Sequence, residues 1–172
     1  IDSGDRAPFC ALCGARNPDN GRIVVYKEIY ETGLTDKQQA RKILDLSDKY
    51  DAKAIRFADP SMWTKRTNEN ITSSAQVYSQ NSVIIHKGNN DRLDGKRKID
   101  RLLQKIDDGL PGILFFNTCN NVVKQLSQLV YDKFRPEDVD TKLEDHAYDA
   151  LRYMLTSVRD YQKRPPVTYR KS

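Results

Sequence analysis

The chain has 172 residues, with 29 Lys and Arg against 24 Asp and Glu and a formal charge of +5, enough for one domain with its own core and a mild preference for polyanionic partners. No apolar run reaches the length of a bilayer span and no signal-peptide pattern opens the chain, which argues against the membrane and secreted classes. Three cysteines cannot all pair, as suits a reducing compartment, and the opening Ile1 in place of Met suggests a piece of a longer protein.

Ile1-Asp2-Ser3-Gly4 reads as the end of a strand. Phe9–Ala15 and Ile23–Tyr30 flank the turn signal Asn17-Pro18-Asp19-Asn20-Gly21 and form an antiparallel hairpin. Cys10 and Cys13 make a CxxC, but strand alternation sends them to opposite faces, so they are ordinary strand cysteines rather than a zinc or redox pair. Thr35 or Asp36 caps a helix to about Tyr50, with Ala40, Ile43, Leu44 and Leu46 on its buried side. Ala54–Ala58 is a short buried strand that Asp59-Pro60 closes. Thr64–Ser74 is a polar loop; Trp63 just before it could touch a base but reads as a packing anchor, and Ser74–Gln80 is a short helix.

Val83-Ile84-Ile85 reads as a strand and His86 as structural. A helix runs from Arg92 to Asp108 until Gly109-Leu110-Pro111-Gly112 breaks it. Gly88–Lys96 superficially resembles a phosphate loop, yet its glycine spacing is too long and Arg97 stands where Ser or Thr is needed, so ATP hydrolysis is not expected. Ile113–Phe116 is a strand, Asn120–Tyr131 a helix and Leu143–Tyr161 the last helix, started by a Thr141–Glu144 capping box with Asp145 in its first turn. Residues 163–172, with Pro165-Pro166 and four basic residues, form an extended tail. The order implies an α/β fold with a mixed central sheet, antiparallel first and then parallel, flanked by helices.

Three places carry a carboxylate where chemistry wants one: Asp2 at a strand end, Asp59 directly after a strand, and Asp145-His146-Ala147-Tyr148-Asp149 at the start of the last helix. There, Leu143, Ala147, Ala150, Leu151, Met154 and Val158 share a stripe at roughly 100° per residue, with Asp149 nearly opposite. His146 and Asp149, at i and i+3, can reach one ion. Each acid alone is as compatible with a solvated surface or a turn. Together they suit phosphodiester hydrolysis, because two hard divalent ions about 3.5–4 Å apart take three or four carboxylates from different elements.

Glu144-Asp145-His146-Ala147-Tyr148-Asp149-Ala150-Leu151-Arg152-Tyr153 resembles the closing motif of the nuclease domains of tailed-phage terminase large subunits. Ile1-Asp2-Ser3-Gly4 and Phe57-Ala58-Asp59-Pro60 resemble that family's first and second acidic motifs. Val25–Tyr30 and Asn117-Thr118-Cys119 follow in the same order, so the resemblance covers residues 1–162. It implies an RNase H-like fold and an endonuclease that cuts concatemeric double-stranded DNA by a two-metal reaction with little sequence preference. It further implies Mg²⁺ or Mn²⁺ on Asp2, Asp59 and Asp149, with His146 ligating or orienting and Asp145 beside them. An upstream ATPase domain, a terminase small subunit, a portal, and host cytoplasm during virus assembly complete the expected context. Only Ile1 precedes Asp2, so the strand carrying this acid is short.

Arg97, Arg101 and Lys105 recur every four residues, a basic stripe that can follow phosphates, and Lys65-Arg66 lie near the proposed metals. The competing readings are a junction resolvase or transposase of the same fold, and a non-catalytic DNA-binding or docking module.

Overall fold

Alternation along the first strand sets the layering. In β1 (Phe9–Arg16), Phe9 and Ala11 enter one buried apolar cluster while Cys10 enters another, as a side-chain period of two requires. The computed structural model describes residues 1–3, 7–47, 51–64, 72–128 and 145–157, and among these the sheet carries a core on each face. β1 runs antiparallel to β2 (Ile23–Glu31), with a bulge between Cys13 and Gly14. β5 (Ile113–Phe115) lies parallel beside β2, and β4 (His86–Lys87) parallel beside β3 (Phe57–Ala58).

Ile1 and Asp2 join these two groups of strands. Asp2 N donates to Cys10 O at 2.8 Å, and Cys10 N donates to Asp2 O at 2.9 Å, an antiparallel bridge. On the other side, Ile1 N donates to Phe57 O at 2.8 Å and Asp59 N donates to Ile1 O at 3.1 Å. That second pattern is the slanted bonding of parallel neighbours, and it sets Ile1 opposite Ala58. The spatial order is therefore β5, β2, β1, the segment 1–2, β3, β4. The expected mixed sheet, antiparallel first and then parallel, is present.

Helices cover both faces. α1 (Asp36–Leu46) and α2 (Ser74–Gln80) pack on the side of Phe9, Ala11 and Ala58. Thr35 with Gln38, and Ser73 with Gln76, form reciprocal capping boxes that start them. α3 (Arg92–Leu103), α4 (Asn120–Ser127) and α5 (His146–Ser157) cover the opposite face through Ile99, Val122, Ala147, Ala150, Leu151 and Leu155. α5 contacts β1, β3, α3 and α4 at once. Its buried residues, Arg152 and Tyr153 included, therefore extend well beyond the expected apolar stripe.

Several expected elements differ. The strand expected over 54–58 is only its last two residues; a 3-10 turn at Asp51–Lys53 precedes it and Ile55 is 70% exposed. The strand expected at Val83–Ile85 begins at His86, because Val83 drops into the core after Ser82 takes a positive φ of 65°. The third helix stops at Leu103 and not at Asp108. Gln104 is extended, Ile106 N donates to Leu110 O at 2.9 Å, and Gly109 turns with φ +79°. Lys105 thus sits in a bridge to Pro111, not on a helical stripe. α5 starts at His146, with Asp145 immediately before it. The expected Thr141–Glu144 capping box, helix residues 129–131 and 158–161, and the tail 163–172 lie outside the described residues. Of the two strand cysteines, Cys10 is buried and Cys13 half-buried, and neither is in a disulfide.

Candidate active site

Ile1 and Ala58 are paired neighbours whose side chains face the α1/α2 core. The residues after them, Asp2 and Asp59, consequently turn to the other face, side by side at the ends of two parallel strands and beneath α5. An acid next to an acid follows from register alone. α5 delivers the remainder: His146 Nδ1 lies 2.7 Å from Asp2 Oδ2, and Tyr153 donates its hydroxyl to Asp59 Oδ2 at 2.7 Å. The start of α5 is held by a residue of α4. Buried Gln125 accepts from the amides of Ala147 at 2.8 Å and Tyr148 at 3.1 Å through its Oε1, satisfying donors that every helix N-terminus exposes.

Asp149 lies one turn into the helix. Its Oδ1 accepts from Arg152 Nε at 3.0 Å, and Arg92 NH1 stands 3.8 Å from its Oδ2. Arg92 NH2 is also 3.7 Å from Asp145 Oδ2, so one guanidinium at the start of α3 sits between both acids. Asn90, from the loop after β4, accepts from Arg152 NH2 at 3.1 Å. Two glycines make room for these contacts. A Cβ on Gly95 would lie 2.2 Å from Arg152 Cγ, and one on Gly88 would lie 2.8 Å from Tyr153 Cδ1.

The protonation behaviour follows the crowding. Burial pushes the Asp2 carboxyl up, with the Asp149 charge adding to it and the His146 contact opposing. Burial and the Asp149 charge likewise raise Asp145 against the pull of Arg92. Asp59 is different. Burial acts to raise it, but the Tyr153 hydroxyl, the Ser61 amide at 2.6 Å and Arg152 hold it below the usual carboxylate range. The centre thus carries negative charge that its own arginines neutralise only in part, a donor set of carboxylate oxygens and one imidazole that suits a hard divalent cation. Among the described residues, no three His, Cys, Asp or Glu side chains converge into a closed ligand set.

Other solved structures share this arrangement of strands and helices. The structure superposes on the large terminase of a thermophilic bacteriophage with a TM-score of 0.71 at 21% identity, covering 91% of this chain. It matches the nuclease domain of the large terminase g2p from bacteriophage SPP1, solved with bound Mn, with a TM-score of 0.62 at 20% identity, covering 88% of this chain and 80% of that one. It also matches the P22 large terminase nuclease domain with a TM-score of 0.64 at 14% identity, over 91% and 77% of the two chains. This is the RNase H-like fold of large-terminase nuclease domains. The chain spans 38% of the length of the thermophilic phage's large terminase. No protein-family model and no curated protein matches the sequence itself.

Within this fold the expected site residues separate into groups. Asp2 meets His146, Asp145 and Asp149 share Arg92, and Asp59 is tied to the same helix through Tyr153. Arg97 and Arg101 are exposed on α3, whereas Lys105 lies beyond its end. Lys65 and Arg66 lie outside the described residues. Sequence reasoning assigned no role to Asn90, Arg92, Gln125, Arg152 or Tyr153. Arg152 and Tyr153 stood inside the recognised motif, three and four residues after Asp149, and that spacing was the available signal. For Asn90, Arg92 and Gln125 no local signal existed, because their partners are distant in sequence.

Proposed function

We propose that this chain is a divalent-metal-dependent endodeoxyribonuclease, the cutting domain of a viral DNA-packaging terminase acting on concatemeric double-stranded DNA. One observation carries the reading. Asp2 and Asp59 end adjacent strands on the face where α5 presents His146 and Asp149, within the fold of large-terminase nuclease domains. Two Mg²⁺ or Mn²⁺ ions, when bound, supply a deprotonated water and charge stabilisation for the leaving oxygen of the phosphodiester. Mn bound to the SPP1 domain supports that choice.

Asp2, Asp59 and Asp149 are the residues that would hold the ions, with Asp145 adding negative charge beside them. His146 orients Asp2 through its Nδ1 contact, as an imidazole beside a ligating carboxylate does. Arg92, loosely paired with both Asp145 and Asp149, balances charge at the entrance of α3. The exposed Arg97 and Arg101 extend along α3 from there and can meet successive phosphates without reading bases. An upstream ATPase domain, a small subunit and a portal are the partners this role entails, in the host cytoplasm during assembly. Among the described residues, no helix is long and apolar enough to cross a membrane.

Plasmid cleavage tests the proposal. Purified chain with Mn²⁺ or Mg²⁺ converts supercoiled plasmid to open-circular or linear forms, EDTA stops it, and Asp59→Ala or Asp149→Ala abolishes it with the fold retained. Metal-independent, salt-sensitive DNA retention without cutting would identify a binding module instead, and cleavage confined to four-way junctions would identify a resolvase.

A further inference from the structure

The acids of the centre are braced by a second rank of side chains. We propose that Asn90, Arg152 and Tyr153 form a positioning network that fixes Asp59 and Asp149 in one relative orientation, with Asn90 as the joint between its two halves. This inference rests on the metal-centre reading above and deepens it.

Arg152 donates Nε to Asp149 Oδ1 at 3.0 Å and NH2 to Asn90 Oδ1 at 3.1 Å. Tyr153 donates its single hydroxyl proton to Asp59 Oδ2 at 2.7 Å, with the same Asn90 Oδ1 at 3.3 Å as the weaker, second acceptor. Successive residues of a helix point about 100° apart and do not ordinarily converge. Here they meet because the loop after β4 brings Asn90 between them, and because the Arg152 guanidinium carbon lies 4.4 Å from the centroid of the Tyr153 ring. Arg152 and Tyr153 are each about 1% exposed, so the helix side of the network is shielded from water, whereas Asn90 joins it from an exposed loop.

The loop itself is strapped to α5. Asn89 N donates to Ser157 Oγ at 3.0 Å, and Thr156 Oγ1, which donates to Arg152 O at 2.8 Å, shares that proton with Asn89 O at 3.2 Å; within the loop Asp91 N donates to Asn89 Oδ1 at 2.9 Å. Gly88 and Gly95 leave the space through which Tyr153 and Arg152 pass. The bracing does not exhaust the acids. A carboxylate offers about four lone-pair sites; Asp59 engages one oxygen with Ser61 N and the other with Tyr153. Each oxygen keeps acceptor capacity for a cation while its direction is set from behind, as outer partners of metal ligands do.

The test is calorimetric titration of Mn²⁺ into the metal-free chain. Tyr153→Phe keeps the ring on Gly88 and removes only the hydroxyl. Its Mn²⁺ dissociation constant is expected to rise roughly 10–100-fold, alongside a modest fall in the metal-free melting temperature from the lost bond to Asp59. Asn90→Ala, at an exposed loop position, should weaken Mn²⁺ in the same direction, and the double variant should fall short of the product of the two effects. An unchanged Mn²⁺ constant in Tyr153→Phe, or a fully multiplicative double variant, overturns the network while leaving the metal centre standing. If the Phe variant does not fold, an unchanged constant in Asn90→Ala overturns it instead. Asp59→Ala separates the two claims: a wild type that takes up no Mn²⁺, or an Asp59→Ala chain that binds it equally well, removes the metal centre and the network together.

Discussion

Replacing Gly95 by Ala sets two well-defined effects against each other. Alanine in a helix interior is favoured over glycine by about 1 kcal/mol, so propensity alone makes Gly95→Ala stabilising. The structure reverses the sign. The added Cβ would stand 2.2 Å from Arg152 Cγ and 2.6 Å from its Cδ, against a carbon–carbon contact of about 3.5–4.0 Å. The clash falls on the middle of a side chain that is 1% exposed and bonded at its far end to Asp149 and Asn90, so it cannot swing aside freely. Overpacking costs roughly 1–3 kcal/mol. If the guanidinium leaves Asp149, the lost charged hydrogen bond costs roughly 1.5–3 kcal/mol more. With the guanidinium displaced and after the gain in propensity, Gly95→Ala should destabilise the metal-free chain by roughly 1.5–5 kcal/mol. For a chain of this size that lowers the melting temperature by roughly 3–20 °C. Urea unfolding followed by far-ultraviolet circular dichroism measures it directly. A variant as stable as wild type, or more stable by about 1 kcal/mol, would show that Arg152 is not confined as described.

Gln125→Ala should cost roughly 1–3 kcal/mol in urea unfolding, because the buried amides of Ala147 and Tyr148 lose their acceptor. Glu28→Ala should be destabilising by a similar amount while leaving Mn²⁺ affinity unchanged, since Glu28 accepts from the amides of Asn121 at 2.9 Å and Val122 at 2.8 Å at the start of α4, away from the acids. For pH, the folded Asp2 and Asp145 sit above their ordinary value of 3.8, so as pH rises past 3.8 toward neutrality they subtract stability from the metal-free chain. Asp59, held low, acts in the opposite sense, its contribution being present above 3.8 and lost on acidification through its folded value. Divalent metal competes with the protons on Asp2 and Asp145, so the gain in melting temperature on adding Mn²⁺ should be larger at pH 7 than at pH 5; an equal or smaller gain at pH 7 would contradict this. Arg97→Ala and Arg101→Ala should each reduce the salt dependence of DNA retention by about one phosphate contact without altering Mn²⁺ binding.

Much of the layering was legible in the sequence because it depends on local periodicity. The β1–β2 hairpin follows from two β-rich runs around a dense turn signal, and the start of α1 at Thr35 and α2 over Ser74–Gln80 from capping residues. Short strands were misplaced where burial and strand pairing part company: Val83 is apolar to fill a core, yet the pairing residues are His86 and Lys87. The pattern predicts too long a third helix because Lys105 and Ile106 continue it, while the turn closed by Leu110 and Gly109 overrides it. The acids themselves were visible as strand-end and helix-start positions. What braces them was not, since Asn90 lies 62 residues from Arg152 and 63 from Tyr153 and no periodicity connects them. Arg152 and Tyr153, charged and polar by composition, are buried because α5 is enclosed by the sheet, α3 and α4.

Crystals of this chain soaked in Mn²⁺ and measured at the manganese edge test the metal centre of Asp2, Asp59 and Asp149 most directly. Two anomalous peaks about 3.5–4 Å apart are expected among these three carboxylates, with Arg92 drawn away from Asp149. Peaks elsewhere, or none among the acids with Arg92 still against Asp145 and Asp149, would contradict it.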